Sequence, residues 1–227
     1  MDNLPKYVVT INQIRYNNFQ KHMQNHAPLW DIQLFQGLLH PKLGCTLSHL
    51  KLWEEKEDNV YVVFEDDAIF QRKLNEQDEK IINTFLTDNS QHILQLGWSP
   101  STYKINRVKS GLYIGHTLDT HAYIIKKSFA KGLLYKYGNK LRQNPIGLIG
   151  SVDTLFLMEE VSFFEPMLFV QDKEPRYSNV NNQGLVITKN NIFMYWLCWV
   201  GNYLFFNREI LIGIIILIIV LVIYFKN

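Results

Sequence analysis

The chain has 227 residues, with 23 Lys and Arg against 21 Asp and Glu for a net charge of +2, so it carries no basic field for nucleic acid. Hydrophobic residues at 47% and aromatics at 14% exclude a disordered chain. Two cysteines, Cys45 and Cys198, exclude a disulfide scaffold.

In chain order, the β-rich run at 7–11 predicts a first strand and 32–35 a weaker second one. A helix fits 46–56; with Cys45 it places Cys45, His49 and Trp53 at i, i+4 and i+8 on one face. The continuous apolar run Val60-Tyr-Val-Val-Phe64 predicts a strand buried on both sides. Leu74, Ile81, Ile82 and Phe85 mark a helix over 74–87. Strands are predicted at 92–96 and 121–125, and a helix at 128–137 with Ser128 as N-cap and Gly138 just past its end. Strands alternating with helices predict an α/β sandwich with a mostly parallel sheet, spanning residues 1–185. The Asn-rich stretch 178–191 reads as a linker.

Residues 210–225, ILIGIIILIIVLVIYF, are 16 consecutive uncharged residues, 14 of them Ile, Leu, Val or Phe. At roughly 0.3–0.6 kcal/mol of insertion free energy per such residue, the run favours membrane by several kcal/mol. As a helix it is about 24 Å long, slightly short of a ~30 Å hydrocarbon core. The aromatic stretch 192–206, with Tyr195, Trp196, Trp199 and Tyr203, suits the membrane–water interface. The expectation is therefore a linker and interfacial segment at 186–209 and a transmembrane anchor at 210–225. A two-helix hairpin turning at 207–209 is the alternative. The N-terminal MDNLPKYVVTINQ lacks a signal-peptide core, and no Asn-x-Ser/Thr sequon occurs. Together these predict a single-pass, tail-anchored membrane protein whose body faces the cytosol.

Two stretches carry chemistry. The buried-strand run leads directly into Glu65, Asp66 and Asp67, and ligands of open α/β sheets bind outside the carboxyl ends of strands. Alternation places Glu65 and Asp67 on one side and Asp66 on the other. Two carboxylates at that spacing suit Mg²⁺ or Mn²⁺ with coordination sites left for phosphate oxygens; a solvated acidic turn is the plainer alternative. The second stretch is Gly44-Cys-Thr-Leu-Ser-His-Leu-Lys-Leu-Trp53. Ser48 and His49 near a helix start suit phosphate or sugar hydroxyls, or His49 is structural beside a buried Cys and Trp. The Cys45/His49 spacing also suits zinc, but the sequence has no second Cys/His pair of that kind, so zinc is not expected.

These motifs, in order, resemble glycosyltransferase family 25, the lipopolysaccharide and collagen-type sugar transferases. Gly44-Cys45 with Ser48-His49 resembles the family's G-C-x-x-S-H element, and Glu65-Asp66-Asp67-Ala68 its E-D-D-A metal element. Val9-Thr-Ile-Asn12 with Arg15 resembles the opening strand that meets the nucleotide. Gly115–Ile125, Ser151-Val-Asp-Thr-Leu155 and Pro166-Met-Leu-Phe-Val-Gln171 followed by Ser178 resemble the later blocks. The likeness covers roughly 6–180. The chain departs from the pattern at Tyr16, Asn17 and Asn18, where the family carries more Arg, and in the apolar tail.

The resemblance implies a GT-A-like nucleotide-sugar-binding sandwich. It also implies inverting transfer of a hexose from UDP-galactose or UDP-glucose to a glycan, lipid or protein hydroxyl. Glu65 and Asp67 are the implied ligands of Mn²⁺ (or Mg²⁺). Asp153 is the candidate general base, with a helix N-cap as its alternative role. Asn12, Arg15, Ser48, His49, Asp66, Gln171 and Ser178 are candidates for donor or acceptor contacts; His121 is either a site residue or a core residue. The competing readings are another metal-dependent phosphoryl enzyme and a catalytically inactive membrane-anchored binding protein of the same fold.

Overall fold

The computed structural model describes residues 1–172 apart from 41–42, 99–102, 110, 118, 144–150 and 165, together with residue 200. Ser178, the linker, the aromatic segment at 192–206 (Val200 aside) and the apolar run at 210–225 lie outside the described residues. Among the described residues no helix is long and apolar enough to cross a membrane.

The elements run β1 (Lys6–Thr10), α1 (Gln13–His26), β2 (Ile32–Gln36), α2 (Gly44–Glu55), β3 (Val60–Glu65), β4 (Ala68–Phe70), α3 (Glu76–Thr87) and β5 (Ile93–Gly97). They continue with β6 (Tyr103–Lys109), β7 (Leu112–His116), β8 (Ala122–Lys126), α4 (Lys127–Gln143), α5 (Val152–Leu155), β9 (Val161–Phe164) and β10 (Phe169–Gln171). Eight strands form one sheet in the order β2-β1-β3-β8-β5-β9-β7-β6, and β10 pairs with β4 beside it. The sheet is mixed: β2, β1, β3, β5, β9 and β6 run one way, and only β8 and β7 run the other.

Alternation along the central strands explains their unbroken apolar sequences. Tyr7 and Val9 of β1 and Tyr61 and Val63 of β3 face one layer, where Leu50, Leu52 and Trp53 of α2 and Leu133, Tyr137 and Leu141 of α4 pack. Val8, Val62 and Phe64 face the other, where Phe19 and Met23 of α1 and Ile81, Ile82 and Phe85 of α3 pack. Each such fully buried side chain stabilises the fold by about 1.5–3 kcal/mol. Both sheet faces are therefore covered by helices, which makes an α/β/α sandwich.

Several boundaries differ from expectation. α4 begins at Lys127 and continues through Gly138 to Gln143, so Ser128 is not its cap and Gly138 is not its stop. A mid-helix glycine costs ~1 kcal/mol relative to Ala, which burial of Tyr137 and Leu141 on the core side offsets. α3 starts at Glu76 because Asn75 and Asp78 close a reciprocal capping box. α1 buries only Phe19 and Met23, so its apolar periodicity in the sequence is faint. β6 and β7 form a hairpin, with Gly111 at φ 79°, that no strand predicted from the sequence covers.

Candidate functional site

The carboxyl ends of β1 and β3 lie side by side, with Val9 in register with Glu65. β8 is antiparallel to β3, so its start reaches the same edge: Phe64 pairs with Ala122, and the Glu65 amide donates to the His121 carbonyl. Thr10, the acidic triplet and the 117–121 loop are brought together there by sheet register alone.

β3 ends at Glu65, and Asp66 and Asp67 form the turn into β4. The expected alternation stops with the strand. Both aspartates meet Arg15, whose Nη2 is 2.5 Å from Asp66 Oδ1 and 3.1 Å from Asp67 Oδ2. The Thr10 hydroxyl donates to Asp66 Oδ2, and Gln171 Nε2 donates to Asp67 Oδ2 at 3.1 Å. The other oxygen of Asp67, Oδ1, is buried without a hydrogen-bond partner among the described residues.

Glu65 has different neighbours. Its Oε1 lies 3.2 Å from His49 Nε2, 2.6 Å from the Thr120 hydroxyl and 3.7 Å from the Cys45 thiol. Burial alone would push Glu65 up. The hydrogen bond and charge of His49, with the Thr120 hydroxyl, outweigh it and hold the carboxyl at about 2. Burial, then the negative charge of Glu65, pushes Asp67 up to about 7 although Arg15 pulls the other way. The same two causes push Asp153 up to about 7. Asp66 is raised by burial despite Thr10 and Arg15.

Thr120 was missed in the sequence because nothing local marks it. Its single hydroxyl lies 2.6 Å from Glu65 Oε1 and 2.7 Å from Asp153 Oδ1. A threonine hydroxyl has one hydrogen. That hydrogen is therefore shared between the two carboxyls, and the hydroxyl donates to only one of them at a time. Burial and the charge of Glu65 thus bring the Asp153 carboxyl to about 7, the range in which an acid–base group works. Asp153 is the second residue of α5, and its side chain is turned to Thr120 rather than capping the helix. The loop is fixed through Asp119, at φ 77°, whose amide donates to the Asp153 carbonyl and whose carbonyl accepts from Gln95.

The other candidates separate. Asn12 caps α1, its side chain accepting from the Ile14 and Arg15 amides, and it thereby places Arg15. Ser48 is buried, donating to the Gly44 carbonyl at 2.5 Å and accepting from the Leu38 amide at 2.8 Å. His49 is fully buried, with Nδ1 2.7 Å from the Tyr123 hydroxyl, which also accepts from Trp53 Nε1. Cys45, His49 and Trp53 do share one face, as the spacing required. His121 is a core residue, seated in space left by Gly97, where a Cβ would lie 2.2 Å from its Nε2.

A carboxylate cluster past the strand ends of a sheet covered on both faces lies where ligands of open α/β sheets bind. Residues 8–142 match the profile of glycosyltransferase family 25, described as an LPS biosynthesis protein, and the chain belongs to this family. No curated protein matches the chain in sequence. Among solved structures, a UDP-glucose pyrophosphorylase complexed with UDP-glucose is 13% identical, with 71% of this chain and 72% of that one covered at TM-score 0.41. The apo-form glycosyltransferase GlyE of Streptococcus pneumoniae TIGR4 is 9% identical, covering 93% and 64% at TM-score 0.44. The inositol-1-phosphate CTP transferase of T. maritima is 14% identical, covering 85% and 75% at TM-score 0.40. These likenesses are too loose to carry a functional argument.

Proposed function

We propose that the protein is a metal-dependent, inverting hexosyltransferase that uses UDP-galactose or UDP-glucose and glycosylates a hydroxyl of a glycan, lipid or protein acceptor. The observation that carries this reading is the convergence of Glu65, Asp67 and Asp153 at the sheet edge of a family 25 chain. The residues fit a hard divalent cation. Among the described residues, Asp67 Oδ1 is buried without a partner and Glu65 meets Cys45, His49 and Thr120 on Oε1. Glu65 and Asp67 would hold Mn²⁺ or Mg²⁺, which would supply charge neutralisation for the departing diphosphate.

Asp153 takes the proton of the attacking acceptor hydroxyl, the step that a single displacement with inversion requires. Thr120 fixes the Asp153 carboxyl against Glu65. Arg15 and Gln171 hold Asp67 in place from two sides, and Thr10 does so for Asp66. The apolar run at 210–225 supports attachment to a membrane through a single span, which would bring the site near lipid-linked acceptors.

The test is UDP release by the full chain in detergent, from UDP-galactose and UDP-glucose, with Mn²⁺ or with EDTA, beside Asp67→Ala. The reading expects release from one donor that EDTA and the substitution both abolish. Release that survives both would overturn the metal assignment, and no release or thermal shift with either donor would favour a non-catalytic binding protein.

A further inference from the structure

Cys45 and His49 adjoin Glu65, yet their chemistry differs from that of an all-oxygen site. Cys45 Sγ, His49 Nε2 and a Glu65 carboxylate oxygen lie within 4.8 Å of one another. Asp153 Oδ1 is 4.0 Å from the same sulfur. We propose that Cys45, His49, Glu65 and Asp153 form a binding site for Zn²⁺, chemically distinct from the oxygen pair of Glu65 and Asp67.

The donor set is one thiolate, one imidazole and two carboxylates, the mixture that selects zinc over magnesium or manganese. Spacing of i, i+4 on α2 presents the sulfur and the nitrogen from one helix face. The end of β3 and the start of α5 supply the oxygens. The His49 ring is oriented by the Tyr123 hydroxyl on its far nitrogen, the outer support that imidazole ligands require. Cys45 is solvent-exposed, which gives the ion its entry.

Binding would release the thiol proton of Cys45 and the proton of Asp153 to solvent. It would also move the imidazole hydrogen from Nε2 to Nδ1, where the Tyr123 oxygen accepts it. Zinc held here draws Glu65 away from Asp67. Inhibition of transfer by zinc is the consequence, and that clause alone rests on the proposed function.

Co²⁺ is the probe, titrated into the full chain in detergent. The expected result is one equivalent bound with an intense near-ultraviolet sulfur-to-cobalt charge-transfer band, displaced by Zn²⁺. Cys45→Ser removes the band, and Cys198→Ser leaves it unchanged. Because Cys45 is exposed, its substitution should not disturb folding, and circular dichroism checks this. Asp153→Asn should weaken cobalt binding at least tenfold while the band remains. A titration without the band, or a band that Cys45→Ser leaves and Cys198→Ser removes, overturns the proposal. These readouts do not depend on whether the chain transfers sugar, so failure of the zinc site and failure of the transferase reading are distinguishable.

Discussion

Glu65 and Asp67 are two residues apart on one turn, and their surroundings divide the site into two regions. On the α2 side, His49, Thr120 and Cys45 all converge on one oxygen of Glu65, and its carboxyl is held at about 2. On the α1 side, Asp67 has Arg15 and Gln171 on one oxygen and, among the described residues, no partner on the other, and its carboxyl is pushed up to about 7. Proximity to a cation does not by itself keep a carboxylate charged. What decides is whether donors outweigh desolvation and the charge next door. The satisfied region stores a fixed negative charge, and the unsatisfied one keeps its carboxyl at about 7.

The sharpest way to break this contrast is to remove the unsatisfied carboxylate. Asp67→Ala should lower kcat roughly 100- to 1000-fold, in the range of losing a principal electrostatic contact, with far-ultraviolet circular dichroism unchanged. Unfolding of this variant would show that Asp67 belongs to the scaffold. On the satisfied side, Thr120→Val should lower kcat by about 10- to 100-fold, the usual effect of an outer-shell loss, and Thr120→Ser should restore most of it. A serine variant as slow as the valine would mean that packing, not the hydroxyl, matters.

The contrast also has a signature in pH. Asp67 has its folded pKa raised from 3.8 to about 7, so the stability linked to it is present below pH 3.8 and lost as pH rises through about 7. Glu65 is the reverse: lowered from 4.5 to about 2, it stabilises above pH 4.5 and loses this as pH falls through about 2. In EDTA, Asp67→Asn should therefore melt above wild type at pH 8 and level with it near pH 4. Equal melting at both would mean that Asp67 is ionised in the fold throughout.

Smaller effects test the supports. Tyr123→Phe leaves His49 Nδ1 and Trp53 Nε1 without their shared hydroxyl and should cost about 1–3 kcal/mol of unfolding free energy, measurable by denaturant titration. Asn12→Ala should cost about 1 kcal/mol as a lost helix cap, with KM for the donor changed less than about twofold. A large KM change would restore Asn12 as a ligand contact.

Much of the scaffold was legible because it depends on local chemistry. The run 60–64 is apolar on both faces, which only a doubly covered strand needs, and the acidic triplet directly follows it. α1 could have been found from Asn12, a favoured N-cap, but fourteen mostly polar residues burying only Phe19 and Met23 hid it. The site was legible as residue types and not as partners. Glu65 was expected beside Asp67, whereas the structure gives it Cys45, His49 and Thr120, which lie 20, 16 and 55 positions away. Such contacts follow from sheet order, and no periodicity encodes that β8 lies antiparallel between β3 and β5.

The position of β8 also constrains how the molecule is made. β3 and β5 both take their hydrogen-bonded partner from β8 and do not pair with each other. When residues up to β5 have left the ribosome, the middle of the sheet is still missing, and two apolar strands have open edges. Those edges are templates for misassociation until residues 122–126 arrive. Folding of the sheet must therefore wait for a distant segment, which predicts slow, late closure of the centre and a need for protection of the nascent chain.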